Sequence, residues 1–122
     1  MIRTANNRVI VESLPENTDL YRGIVGIADQ NGVRFGIVTG TGAVKRALLA
    51  AFDQKSMTVR QAEIAEPMEI ISMYGEIHGG AGALVPRIHL VLADQNGNGK
   101  GGELLPEGTP VHWCRVMIEE NG

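Results

Sequence analysis

Apolar and polar residues alternate through most of this chain, and they do so with a strand's period of two more often than with a helix's period of 3.6. Residues 8–14 read as a first strand (Arg8, Val9, Ile10, Val11, Glu12, Ser13, Leu14), closed by Pro15, Glu16 and Asn17. Leu20, Ile24 and Ile27 then recur at three- and four-residue steps, which predicts a helix over 19–30. Asn17 or Thr18 offers the capping oxygen, and Asp19 falls in the first turn, where the helix dipole favours negative charge. Asn31-Gly32 ends the helix, these being the residues that tolerate a left-handed cap. Residues 33–39 form the next strand, and Gly40-Thr41-Gly42 predicts a turn. Residues 43–52 suit either a helix or extended chain, and their Ala and Leu content favours the helix.

Beyond that point the pattern is extended again. Residues 57–65 look half exposed, Pro67 breaks the chain, and 68–77 is a long strand signal. Residues 84–94 form another strand, the glycine-rich 95–102 a reversal, Glu103-Leu104-Leu105 a short piece, and 106–110 a turn. Residues 111–120 close the chain as a strand rich in β-formers. The expected fold is a single α/β (α+β) domain over 1–122, a largely antiparallel central β-sheet flanked by one or two helices.

Composition narrows the function. Only 4% of residues are aromatic, so the core must be built from Ile, Val, Leu, Met and Ala. A domain of 122 residues buries a modest share of its surface, and oligomerisation would add apolar burial. A net charge of -3 argues against general attraction to nucleic acid. Lys45, Arg46, Lys55 and Arg60 are the only basic cluster, diluted by Asp53 and Glu63. Cys114 is the only cysteine, so the chain has no disulfide framework and no thiol cluster for zinc. Its opening residues lack an apolar core of signal-peptide length, and no apolar run is long enough to span a bilayer. The expectation is a soluble cytoplasmic protein without a membrane partner.

The candidate chemistry lies in the last third. Arg87 and His89 share one face of a strand. Arg87 can receive a carboxylate or phosphate through its planar fork, and His89 is the side chain best matched to proton transfer near neutral pH. With Glu103 they make either a site for a small anionic ligand or a purely structural polar cluster. His78 sits beside Gly79, Gly80 and Gly82 in a loop placed to close over a ligand or to hang in solvent, and His112 reads as a sheet-surface residue. Gly36, Gly40, Gly42 and Lys45 fail the spacing of a phosphate loop and of a dinucleotide fingerprint, which leaves a tight turn with some anion-binding capacity. Asn96-Gly97-Asn98-Gly99 suits a hairpin better than a calcium loop. Trp113 is expected in the core or at a subunit interface.

Several segments carry a resemblance by their order and spacing: Pro15 to Leu20, Gly36 to Val44, Glu69 to Gly75, then Gly75-Glu76-Ile77, Pro86-Arg87-Ile88-His89 and Gly101-Gly102-Glu103-Leu104. Nearly the whole chain thus resembles the plant and prokaryote conserved domain. The resemblance implies a homotrimer packed around a threefold axis, with extended structure near 43–52. Family members usually read His-x-His and then Gly-Gly-His, three histidines that can hold a metal ion. Here Arg87 stands at the first position and Glu103 at the third, and only His89 remains. A guanidinium cannot coordinate, so zinc or another divalent metal, and any other cofactor, is not expected. An Arg87–Glu103 ion pair with His89 hydrogen-bonded beside it is expected in the metal's place. The expected ligand residues are Arg87, His89, Glu103, His78, Gly101 and Gly102, roofed by 78–82 and 96–102, with His89 and Glu103 as the metal remnant.

The family often carries a DNA-binding label. In its plant members a separate Arg-Gly-Arg-Pro hook contacts the minor groove, and this chain has no such hook, so direct DNA binding is doubted. The resemblance therefore implies a non-catalytic binding or regulatory module whose partners are its own copies and a protein or small ligand. The alternative is a small enzyme or ligand-binding protein acting on an anionic metabolite near the subunit interface, with Arg87, His89 and Glu103 as its groups.

Overall fold

The computed structural model describes residues 8–121. In chain order the elements are β1 (Val9–Leu14), α1 (Leu20–Gln30), β2 (Phe35–Val44), β3 (Ala47–Asp53), β4 (Thr58–Ile64), β5 (Met68–His78), β6 (Val85–Ala93), β7 (Gly99–Leu104) and β8 (Val111–Glu120). The strands form one sheet in the order β1-β8-β2-β5-β6-β7-β3-β4. Every neighbouring pair is antiparallel. This is the α+β architecture that the alternation predicts, with one helix among the described residues.

The helix starts one residue later than its capping pattern suggests. Asp19, rather than Asn17 or Thr18, is the N-cap: its carboxylate accepts from the Arg22 N–H at 3.1 Å and from the Thr109 N–H at 3.1 Å. Asn17 instead takes a left-handed turn at φ 72°. At the other end the Asn31 side chain donates to the Ile27 carbonyl at 2.8 Å, and Gly32 takes the left-handed position. Leu20, Ile24, Ile27 and Ala28 are buried, and α1 packs on β6, β1 and β8. Each large side chain sealed there contributes about 1.5–3 kcal/mol relative to exposure.

Three local expectations need correction. Gly40-Thr41-Gly42 is no turn: it lies inside β2, where the β2–β5 register shifts between Thr39 and Gly42. The extra residue is on β5, where Tyr74 to Ile70 takes four steps against three on β2, and a β-bulge absorbs it. Gly42 has φ 153°, and a Cβ there would fall 2.3 Å from the Trp113 carbonyl oxygen, so the strand closes on β8 only with glycine. Residues 43–52 form no helix; they finish β2 and make most of β3. Ala47 and Leu49 are buried in alternation with half-buried neighbours, and β3 is held between β7 and β4. Sheet packing outweighs helix propensities worth only tenths of a kcal/mol per residue. Gly99 to Gly102 belong to β7, so the reversal is confined to the turn after β6, where Asp94 accepts from the Asn96 and Asn98 N–H groups at 2.9 Å.

The sheet has a covered and an open side. Inward residues such as Val38, Ile77, Ile88, Leu90, Leu92, Val116 and Ile118 join the helix in one core. The opposite side carries Phe35, Tyr74, Val85, Val91 and Trp113 exposed. Trp113 is therefore no core residue of its own chain. Among the described residues no helix is long and apolar enough to cross a membrane.

Candidate functional site

Register brings the candidate residues together. Tyr74 on β5, His89 on β6 and Glu103 on β7 stand directly opposite one another in turn, with Thr39 of β2 and Ala50 of β3 continuing the row. In the next row Glu76 faces Arg87. All project from the open side. Directly paired residues across an antiparallel ladder have Cβ atoms about 4.5–5.5 Å apart, while diagonal ones stand further off. Arg87 is diagonal to Glu103, and its long side chain spans that gap: its Nε donates to Glu103 Oε1. The Arg87 side chain is 64% exposed and that of Glu103 28% exposed, so the pair is a surface contact. Such pairs add about 0–1 kcal/mol to stability.

The Arg87–Glu103 ion pair is thus present. The expected hydrogen bond to His89 is not: among the described residues the imidazole has no hydrogen-bond partner, although Glu103 stands opposite it. Arg87 and His89 form a ridge between two shallow depressions. One of about 410 Å³ is floored by Gly75 and walled by Ile37, Tyr74 and Glu76. The other, about 530 Å³, lies towards Phe52, Val59, Gly101, Gly102 and Glu103. Arg87 therefore has one carboxylate bonded to it and a second, Glu76, opposite it.

His78 is not gathered into this group. It ends β5, with its ring edge-on to Phe35 at 5.7 Å between centroids. The loop after it is tied down, because Gly79 N–H donates to the Arg34 carbonyl at 2.8 Å and Arg34 Nε donates to the Gly80 carbonyl at 3.0 Å. This loop precedes β6, whereas the Asp94 turn follows it. At about 3.3 Å per residue, nine-residue β6 holds them well apart, so the two segments do not roof one site together. Gly101 and Gly102 line the larger depression through β7.

Sequence reasoning missed Tyr74 and Glu76. Their alternation with Met73, Gly75 and Ile77 put them on one face of β5, but only the β5–β6 register sets them against His89 and Arg87. The supposed basic cluster is dispersed: Lys45 and Arg46 connect β2 to β3, and Lys55 lies at the far end of β3. Lys45 is bound to Glu16 at 2.6 Å, and that bond first, with nearby His112 adding a little, holds the Glu16 carboxyl below its usual range. A third depression of about 520 Å³ lies beside Lys45, His112, Glu69 and Asp94.

A metal does not fit the donor set at Arg87. A guanidinium offers no lone pair, and it occupies the Glu103 oxygen that would otherwise be free. Among the described residues, no three of the His, Cys, Asp and Glu side chains come together as a metal site.

The fold has counterparts among solved structures. A protein from Archaeoglobus fulgidus, described as metal-containing, superposes with a TM-score of 0.81 at 24% identity, covering 98% of this chain and 82% of its own. A plant- and prokaryote-conserved protein from Pyrococcus horikoshii gives 0.85 at 20% identity, covering 99% and 85%. A provisionally named DNA-binding protein from Bacteroides thetaiotaomicron gives 0.79 at 18% identity, covering 98% and 81%. These likenesses establish a shared fold. No curated protein matches the sequence. The sequence profile of the Plants and Prokaryotes Conserved (PCC) domain, in contrast, matches residues 1–121, and the chain belongs to that family.

Proposed function

We propose that this chain is a homotrimeric, non-catalytic binding module in which the Arg87–Glu103 ion pair takes the place of the metal that three histidines hold in the family. The observation that carries this reading is the bond from Arg87 Nε to the Glu103 carboxylate on the open side of the sheet. It supplies, within the protein, the opposite charge that a ligand or ion would otherwise bring. Charge balance also weighs against the alternative, an enzyme or receptor for a small anionic metabolite. Arg87 is bonded to one carboxylate and faced by Glu76, so an incoming anion meets more negative than positive charge. His89 has neither an orienting partner nor a nucleophile beside it among the described residues, which a general base needs.

Direct duplex binding is unsupported by the same charges. Glu69, Glu76, Glu103 and Glu119 outnumber Arg87 and Arg115 on the open side of β8, β2, β5, β6 and β7. Phosphate contacts need the reverse. A protein surface or another copy of the chain suits the mixture of exposed aromatic and charged groups better.

The experiment is a zinc titration of the untagged chain beside the double variant Arg87→His/Glu103→His, read by bound metal after desalting. The expected result is no stoichiometric zinc on the natural chain and its appearance on the variant. Stoichiometric zinc on the natural chain, lost in His89→Ala, contradicts the reading.

A further inference from the structure

The sheet ends on both sides in an unpaired strand, β1 at one end and β4 at the other, among the described residues. Such edges invite pairing with another chain unless proline, a bulge, a cover or an unmatched charge blocks it. The charges here, Glu12 on β1 and Arg60 and Glu63 on β4, are of opposite sign at Glu12 and Arg60. Neither strand contains proline, and neither ladder that holds them has a register shift. The β3–β4 hairpin is also poorly supported by its own chain. In β4 only Ile64 is buried, while Phe52, Met57 and Val59 are 56%, 72% and 65% exposed. At the other edge Val9 and Val11 are 59% and 48% exposed.

We infer that the outer edge of β4 in one copy pairs antiparallel with the outer edge of β1 in the next, with Arg60 opposite Glu12, so that copies join head to tail into a continuous sheet. This rests on the homotrimer reading and adds which surface closes the assembly. Backbone and side-chain directions set which residues can pair, and charge then selects the register.

The first feature is hydrogen-bond direction. The Glu120 N–H donates to the Arg8 carbonyl at 2.8 Å, so the even-numbered residues of β1 turn their polar groups towards β8. Val9, Val11 and Ser13 therefore turn theirs outwards. At the opposite edge the Leu105 N–H donates to the Leu48 carbonyl at 3.3 Å, so Leu48, Ala50 and Phe52 face β7 and the odd-numbered residues of β3 face β4. The register Ala51↔Arg60 then leaves Val59, Gln61 and Glu63 with outward polar groups.

The second feature is side-chain direction. Those two outward sets both project from the open side, since Val11 lies in the row of Met117, Thr39 and Tyr74, and Gln61 in that of Ala50, Glu103 and His89. Pairing odd with odd keeps the covered and open sides continuous across the junction. Charge is the third feature. Glu12 is the only acid in β1 and Arg60 the only base in β4, and both lie on the other side of their strands. The pairing Glu12↔Arg60 brings Val11 opposite Gln61 and diagonal to Val59, extending an apolar stripe from the hairpin onto the next copy. A two-fold β1–β1 or β4–β4 contact in the same face-matched way makes no such charge pair when centred on Val11 or Gln61. A head-to-tail contact closes as a ring or continues as a filament, and three copies is the closed form of the reading above.

Native mass spectrometry and sedimentation of untagged protein test this with four variants. Glu12→Arg and Arg60→Glu each weaken association by roughly tenfold per interface, and Glu12→Arg/Arg60→Glu together restore it. Gln61→Pro removes an N–H that its own hairpin does not use, so it abolishes association while circular dichroism stays unchanged. Oligomers that persist unaltered in all four variants overturn the edge pairing and leave the trimer reading standing. Single variants that weaken without rescue in the double variant overturn the register. A natural chain that runs as a two-fold dimer overturns the head-to-tail arrangement, and one that is monomeric throughout overturns both readings.

Discussion

Strand β6 shows the contrast between the two sides of the sheet in nine residues. Pro86, Ile88, Leu90 and Leu92 are buried, and Ile88, Leu90 and Leu92 are at most 1% exposed. Between them Arg87, His89 and Val91 lie in the open. The covered side is filled by aliphatic side chains that lock one packing, so it sets stability. The open side holds weak, solvent-screened contacts such as Arg87–Glu103, so its chemistry can change at little cost to the fold. That difference lets residues on the open side, Arg87 and Glu103 among them, change without disturbing the packed side.

The largest expected effect is on the covered side. Leu90→Ala should cost about 2–5 kcal/mol in denaturant unfolding, whereas its neighbour His89→Ala should stay within roughly 0.5 kcal/mol. Equal losses would erase the distinction. Gly75→Ala comes next, because the added Cβ would sit 2.1 Å from the Arg87 carbonyl oxygen and force β5 from β6. A loss of about 1–3 kcal/mol is expected, read in the same unfolding curves.

Cys114 offers a kinetic probe of the same contrast. Burial pushes its thiol up to about 11, so alkylation at pH 8 should wait for unfolding. Alkylation should quicken in Leu90→Ala and not in His89→Ala. The smallest effect concerns Glu120, whose carboxyl is held below its usual range chiefly by the hydrogen bond from Arg8 Nε at 2.7 Å. A carboxyl lowered in the folded state contributes stability above its unfolded pKa and loses it as pH falls through the lowered value. Glu120→Gln should therefore flatten the acid side of a stability-against-pH curve slightly and leave its neutral side a little lower.

The fold was largely legible because alternation marks strands directly. The exceptions have physical reasons. Residues 43–52 carry helix-forming Ala and Leu, yet Ala47 and Leu49 are needed to fill the sheet's covered side. Gly40 to Gly42 look like a turn in one dimension, and only their unbroken pairing with β8 shows that the strand runs straight through them. At the site, the Arg87–His89 face was legible from a single strand and Glu103 from the family pattern. Tyr74 and Glu76 were not, because a period of two says which side a residue takes and nothing about which strand lies next to it.

A native mass spectrum of untagged protein purified without chelator tests the central claim most directly. The account predicts three 13.1 kDa chains with no added metal mass. A trimer carrying a stoichiometric metal would contradict the replacement of the metal by Arg87 and Glu103, and a monomer would contradict the assembly on which the binding role depends.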